Sequence, residues 1–199
     1  MFARIPVPLD GSRLAERVLP AAAGLARATH GPVHLAHAVE PLLPDPEVAA
    51  RAALPAEPPA ALRTAAEAVA RAYLDAARAP PELDGLAVDV QVLRTDIVGG
   101  TAGVLLDHER DVGIALTVLS SHGQAGQARF ALGSITERLL RYGTATLLLL
   151  RASGAPPSLD RVLVPLDGSA CCRSRRPPPI CGRKLISTSL RRPRAGSPW

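Results

Sequence analysis

Two textures alternate along this chain. Short, nearly continuous apolar runs cover residues 2–9, 33–39, 114–119 and 145–151. Residues 86–93 instead alternate, with Val88, Val90 and Val92 on one side. Continuous runs of this length predict strands buried on both faces, and the alternating run predicts a strand nearer the outside of the sheet. Between them, residues 12–28, 60–79, 98–109 and 133–142 repeat apolar positions at helical spacing; in the Ala-rich stretch 60–79 these are Leu62, Ala66, Val69 and Tyr73. Ser12 is placed to cap the first helix, and Thr29-His30-Gly31-Pro32 stops it. Pro80-Pro81 ends the second, and Gly99, Gly100 and Gly103 weaken the third. Residues 41–59 hold six prolines and predict a loop, with one turn of helix over 47–53.

Strands that alternate with helices imply right-handed crossovers and a parallel sheet covered on both faces. The predicted class is therefore α/β, an open doubly wound sheet of five strands over residues 1–151. Composition agrees. Apolar residues make up 47% of the chain but aromatics only 3%, so the core is aliphatic and closely packed.

The formal charge of +5 misleads about partners. Eight of the 23 basic residues fall in residues 171–199, which hold no acid, so residues 1–170 carry 15 bases against 18 acids. A mildly acidic body gives no reason to expect specific nucleic-acid binding. All three cysteines (Cys171, Cys172, Cys181) also lie in that tail, so no disulfide framework is expected in the body. The N-terminus enters a strand pattern at once, without the signature of a signal peptide, and the longest apolar stretches are far too short to span a bilayer. A cytoplasmic protein without membrane association is expected.

Residues 152–158 read as a linker. Beyond it, Arg161-Val162-Leu163-Val164-Pro165-Leu166-Asp167-Gly168-Ser169 repeats the pattern of Arg4-Ile5-Pro6-Val7-Pro8-Leu9-Asp10-Gly11-Ser12. Residues 159–170 therefore read as the opening strand of a second copy of the domain, truncated because only 30 residues follow Ser169. Residues 171–199 carry Pro/Arg clusters without periodicity. They read either as the product of a reading-frame change near Ala170 or as a natural basic disordered tail.

The candidate chemistry lies between the fourth strand and the last helix. Ser120-Ser121-His122-Gly123-Gln124-Ala125-Gly126 leads through Leu132 to Gly133-Ser134. A glycine-rich loop between a strand and a helix lets backbone N–H groups surround a phosphate, and the free N–H groups of the helix start favour anionic oxygens. Several enzyme classes are set aside. There is no Gly-x-x-x-x-Gly-Lys-Ser/Thr, no Gly-x-Gly-x-x-Gly after the first strand and no Gly-x-Ser-x-Gly elbow. His34 and His37 are three apart in a strand and face opposite sides, so they are not a metal pair. His30 and His108 fall at helix ends, where they suit the dipole. His122 has no partner carboxylate or cysteine placed by the sequence, and Cys172 and Cys181 lack metal-site spacing. No metal site is expected.

Taken together, Val7-Pro8-Leu9-Asp10-Gly11-Ser12 and Ser121-His122-Gly123 … Leu132-Gly133-Ser134 resemble the universal stress protein family, with the order and spacing of elements over residues 2–151. The resemblance implies a Rossmann-like adenine-nucleotide-binding fold with strand order 3-2-1-4-5, a homodimer formed through the last strand, and a regulatory, stress-linked role without a defined catalysed reaction. ATP-binding members carry Gly-x-x-Gly, nine residues, then Gly-Ser or Gly-Thr. Here Ser120 stands at the first glycine position. By this resemblance Pro8, Leu9, Asp10 and Ala38, the last expected just after the second strand, line the adenine and ribose end. Ser120, Gly123, Gly126, Gly133, Ser134, Ile135 and Thr136 hold the phosphates, with Ser134 also capping the last helix. The implied ligand is ATP, with or without Mg²⁺, and at most weak Mg²⁺-dependent hydrolysis. The alternative is a member that binds no nucleotide and acts through dimerisation or protein interaction.

Overall fold

The computed structural model describes residues 4–40, 59–95, 99–121 and 132–150, together with the backbone of 186–187. Strand β1 (Ile5–Leu9) leads to a short helix α1 (Arg13–Glu16), helix α2 (Leu19–Thr29) and strand β2 (Val33–Val39). Helix α3 (Ala60–Ala77) and a 3₁₀ turn (Pro81–Leu83) precede β3 (Val88–Arg94). Helix α4 (Gly100–Val112), β4 (Leu116–Ser120), α5 (Ser134–Tyr142) and β5 (Thr146–Leu150) complete the domain, and β6 (Ile186–Ser187) is a two-residue strand from the tail. The turn of helix expected over 47–53, the linker and the repeated segment 159–170 lie outside the described residues.

The first helix is shorter than its pattern suggests. Ser12 caps it as expected, accepting from the Ala15 N–H at 3.1 Å, but the helix breaks at Arg17–Val18. Pro20 is the reason. It lacks an N–H, and its ring would meet the carbonyl four residues earlier, so it is tolerated only in the first turn of a new helix; it sits there, in the first turn of α2. Helix α4 is longer than expected. Its glycines cluster in the first turn, where they cost least, and it ends at Gly113 with φ +65°.

All the strand pairs are parallel, but they form two sheets, β1-β2-β3 and β4-β5-β6, instead of the single five-stranded sheet expected. The prolines of β1 explain the division. Ile5 N–H donates to Pro32 O at 3.0 Å, so positions 5, 7 and 9 turn their backbone groups towards β2. The alternate positions, which face the other edge, are Pro6 and Pro8, and neither has an N–H to donate. On β4 the Ser121 N–H reaches Leu150 O at 2.8 Å, so residues 117, 119 and 121 face β5 and residues 116, 118 and 120 face β1. β1 lies against β4, but its edge lacks the donors that a ladder needs.

Side chains bridge that seam. On one face Ile5, Val7, Val33 and Leu35 share a buried cluster with Leu116, Val118, Leu148 and Leu150, under α2 and α3. On the other, Ala36 and Leu93 pack with Leu119, Leu147 and Leu149 under α4 and α5, through Leu105, Leu106 and Leu139. Helices therefore cover both faces, as the largely apolar, buried β4 and β5 require. β3 is outermost, paired with β2 alone, in keeping with its alternating pattern.

Candidate functional site

The loop that begins after Ser121 is closed at its neck. Gly133 N–H donates to Ser121 O at 3.0 Å, and the Thr136 hydroxyl donates to Ser120 O at 3.4 Å. These bonds clip the end of β4 to the start of α5. Gly123, Gly126 and His122, within the loop, lie outside the described residues. Ser120 is the last residue of β4, in register with Leu150; its carbonyl accepts the Thr136 hydroxyl.

Ser134 does not cap the helix. The capping position belongs to Gly133, with φ −59° and ψ 149°, and its carbonyl accepts from Glu137 N–H at 2.9 Å. Capping needs an extended residue before the first helical one, and Gly133 takes that place without a side-chain acceptor. Ser134 is the first helical residue and is exposed, Ile135 is half-buried, and Thr136 is buried. With glycine at the capping position, no side-chain cap bonds the first N–H groups of α5 among the described residues.

The other turn is built from β1. Gly11 has φ +84°, a conformation that only glycine adopts at little cost, and this lets the chain reverse so that Ser12 N–H donates to Asp10 Oδ1 at 2.9 Å. Leu9 is buried, Pro8 and Asp10 half-buried. From β2, the His37 ring Nδ1 meets Leu9 O at 2.8 Å, which fixes Nδ1 as the protonated nitrogen. The Tyr73 ring of α3 stands edge-on to His37 at 5.4 Å between centroids. Burial, with the neighbouring Glu16 carboxylate, pushes the Tyr73 phenol well above its ordinary range, so it stays a neutral hydroxyl beside Gly11. Ala38 lies within β2, opposite Leu93, and not after the strand as expected. Leu9 pairs with His37, so Ala38 is level with Asp10.

A chain of hydrogen bonds relates the two turns. Thr101 Oγ1 donates to Glu40 just past β2 at 2.8 Å, and Arg138 on α5 donates to Gly99 O just before α4 at 3.3 Å. The carboxyl end of β2, the start of α4 and the first half of α5 therefore share one rim. The carboxyl end of β1 joins it through the β1–β2 register. Sequence reading placed Ser121 in the candidate loop but missed His37 and Tyr73 as part of this rim. These two come from different elements, and nothing in their local spacing announces the meeting.

His34 and His108 are buried inside the fold. His34 packs against α4 and His37 against α3, on opposite faces as the strand alternation predicts. His108 is not a surface residue at a helix end; it is buried against His34. No group of three or more His, Cys, Asp or Glu side chains able to hold a metal occurs among the described residues. Nor, among them, is any helix long and apolar enough to cross a membrane.

Comparison with known proteins follows the same outline. The universal stress protein family matches residues 1–151. The structure of hypothetical protein MJ0577 superposes with a TM-score of 0.59 at 19% identity, over 78% of this chain and 99% of the other. A universal stress family protein from Burkholderia pseudomallei superposes with a TM-score of 0.54 at 26% identity, over 74% and 95%. A universal stress protein solved in complex with cAMP gives a TM-score of 0.50 at 18% identity, over 76% and 98%. No curated protein sequence is significantly similar to the chain.

Proposed function

Because the chain belongs to the universal stress protein family, we propose that it is an ATP-binding regulatory module that binds an adenine nucleotide without a defined catalysed reaction. The observation that carries this reading is the closed neck, Gly133 N–H to Ser121 O at 3.0 Å, beside a helix start with no side-chain cap. Such a helix start offers free backbone N–H groups and a positive dipole end, which suit phosphate oxygens. In this reading Ser134, Ile135 and Thr136 N–H groups and the Ser134 hydroxyl hold phosphate, with Gly123, Gly126 and Gly133 giving the backbone room. Asp10 accepts from the ribose hydroxyls, and Pro8, Leu9 and Ala38 line the base. Support for a shared site comes from the fold type, in which ligands bind outside the carboxyl ends of strands where the strand order reverses; with β1 beside β4 we take that order as 3-2-1-4-5. The cAMP complex of a fold relative is consistent with adenine nucleotides as the ligand class.

Mg²⁺, if it accompanies ATP, would be held largely by the phosphates, with Asp10 the acid nearest the turn. We further propose a cytoplasmic location and a homodimer through β5, whose partner strand would take the edge that Ile186–Ser187 pairs with in this chain. The second reading, a family member without nucleotide, is favoured by Ser120 at the position of the first loop glycine.

Mass spectrometry of small molecules released from the denatured, purified protein tests the choice directly. ATP or AMP in near-stoichiometric amount supports the module. No bound nucleotide, together with no heat on titration with ATP, overturns it in favour of the second reading.

A further inference from the structure

Far from the rim, two imidazole rings are stacked inside the protein. His34 of β2 and His108 of α4 lie 5.2 Å apart between centroids with 20° between their planes, and only 4% and 8% of their surfaces are exposed. His34 Nε2 meets Gln91 Oε1 at 3.1 Å; since that oxygen only accepts, Nε2 carries the proton and Nδ1 holds the free lone pair. His34 Nδ1 and His108 Nε2 are both buried without a hydrogen-bond partner among the described residues.

His34 Nδ1 is where an added proton would go, and in a protonated His108 ring Nε2 carries an N–H as well. A ring protonated at either would be a cation with a buried N–H and no acceptor, and hydration of that group requires the pocket to open. The surroundings do not compensate. The charged groups facing the pair are Arg4 ahead of β1, which repels a cation, and Asp89 of β3 and Asp111 of α4, which attract one. The neighbouring Glu109 is turned away, towards Thr117, and Arg138 of α5 is engaged at Gly99. Burial outweighs the two aspartates and lowers the affinity of both rings for protons.

We propose that the His34–His108 stack is an acid-labile clasp that holds the carboxyl half of α4 on β2 and releases it when either ring takes up a proton. The clasp is closed with both rings neutral. As pH falls below the ordinary imidazole value, the opened form binds the proton and gains population, about tenfold per pH unit for one proton.

Hydrogen exchange on the full chain between pH 7.5 and 5.5, corrected for intrinsic rates, tests this. Protection of the amides from Leu106 to Val112 should fall about tenfold or more, while those of α3 hold. His108→Phe keeps an aromatic ring against His34 but leaves only His34 to titrate, so the loss should shrink to one proton's share, at most about tenfold over this range. Should that variant not fold, NMR titration of the two rings in the unaltered protein decides. Titration of both rings near the ordinary value without change in α4, or unaltered protection of α4 down to pH 5.5, overturns the proposal.

Discussion

Thr117 of β4 donates its hydroxyl to the Glu109 carboxylate of α4 across 3.0 Å, both residues being almost wholly buried. The other carboxylate oxygen, Oε2, is buried with no hydrogen-bond partner among the described residues, while the backbone N–H groups of Thr144 and Ala145 lie near the carboxyl. Burial pushes the Glu109 carboxyl above its ordinary range, and the Thr117 bond with those two amides opposes the shift. The acid thus anchors the turn between α5 and β5 to the end of α4. It does so with few donors to spare.

Thr117→Val keeps the volume and removes the donor. We expect a loss of about 1–3 kcal/mol in urea unfolding at pH 7. The pH dependence has a defined sign. A carboxyl whose pKa is raised by folding contributes stability that is present below its unfolded value and lost as pH rises through the folded one. Removing a bond to the charged form raises the folded pKa further. The fall in stability above about pH 4.5 should therefore be steeper and extend to higher pH in the variant than in the parent. A loss independent of pH would contradict this role for Thr117.

Gly143→Ala should be among the more damaging single-methyl changes in the domain. An added Cβ would sit 2.5 Å from Leu139 O and 2.8 Å from Glu109 Oε2, atoms of the helix end and of the buried acid. The backbone conformation at φ −67° is open to any residue, so the cost is steric and not torsional. An expected destabilisation of about 1–3 kcal/mol would show as a lowered urea midpoint. Gly24→Ala, where an added Cβ meets nothing within 4 Å, should leave that midpoint unchanged or raised, since alanine favours helix.

Gly133→Val tests the phosphate end of the proposed site. Its φ and ψ suit a branched residue, so the thermal midpoint should hold within a few degrees, while ATP affinity falls at least about tenfold, or 1.4 kcal/mol. Calorimetric titration of both proteins measures this. Equal affinity would remove Gly133 from the site.

Pro6→Val offers β4 the donor that β1 lacks. An amide at position 6 faces β4, and a bond of about 1 kcal/mol would offset the extra freedom of the unfolded chain, about 0.4–1 kcal/mol. The net stability change should be small, and the new amide should exchange slowly. Fast exchange at position 6 would show that the seam has another cause.

Much of the fold is legible because its signals are local. Four apolar runs and one alternating stretch mark β1 to β5, and Ser12 announces its cap by position. The misses share a different origin. Pro20 looks like part of an Ala-rich helical run until its clash with the preceding turn is counted. Ser134 has the right chemistry for a cap but stands one residue late, because Gly133 already supplies the extended conformation. The pairing of β1 depends on which edge Pro6 and Pro8 face, and that requires the register with β2. Likewise Tyr73 and His37 are ordinary residues in their own elements. Only the packing of α3 on β2, whose end is paired with that of β1, brings them beside the Asp10 turn.

The proline-lined seam between β1 and β4 has a mechanical consequence. Halves joined by aliphatic side chains, without a backbone ladder, resist separation well but resist sliding poorly. A small molecule lodged where the two strands end would act as a crossbar between them, and its occupancy would be felt as stiffness throughout the barrierless middle of the domain.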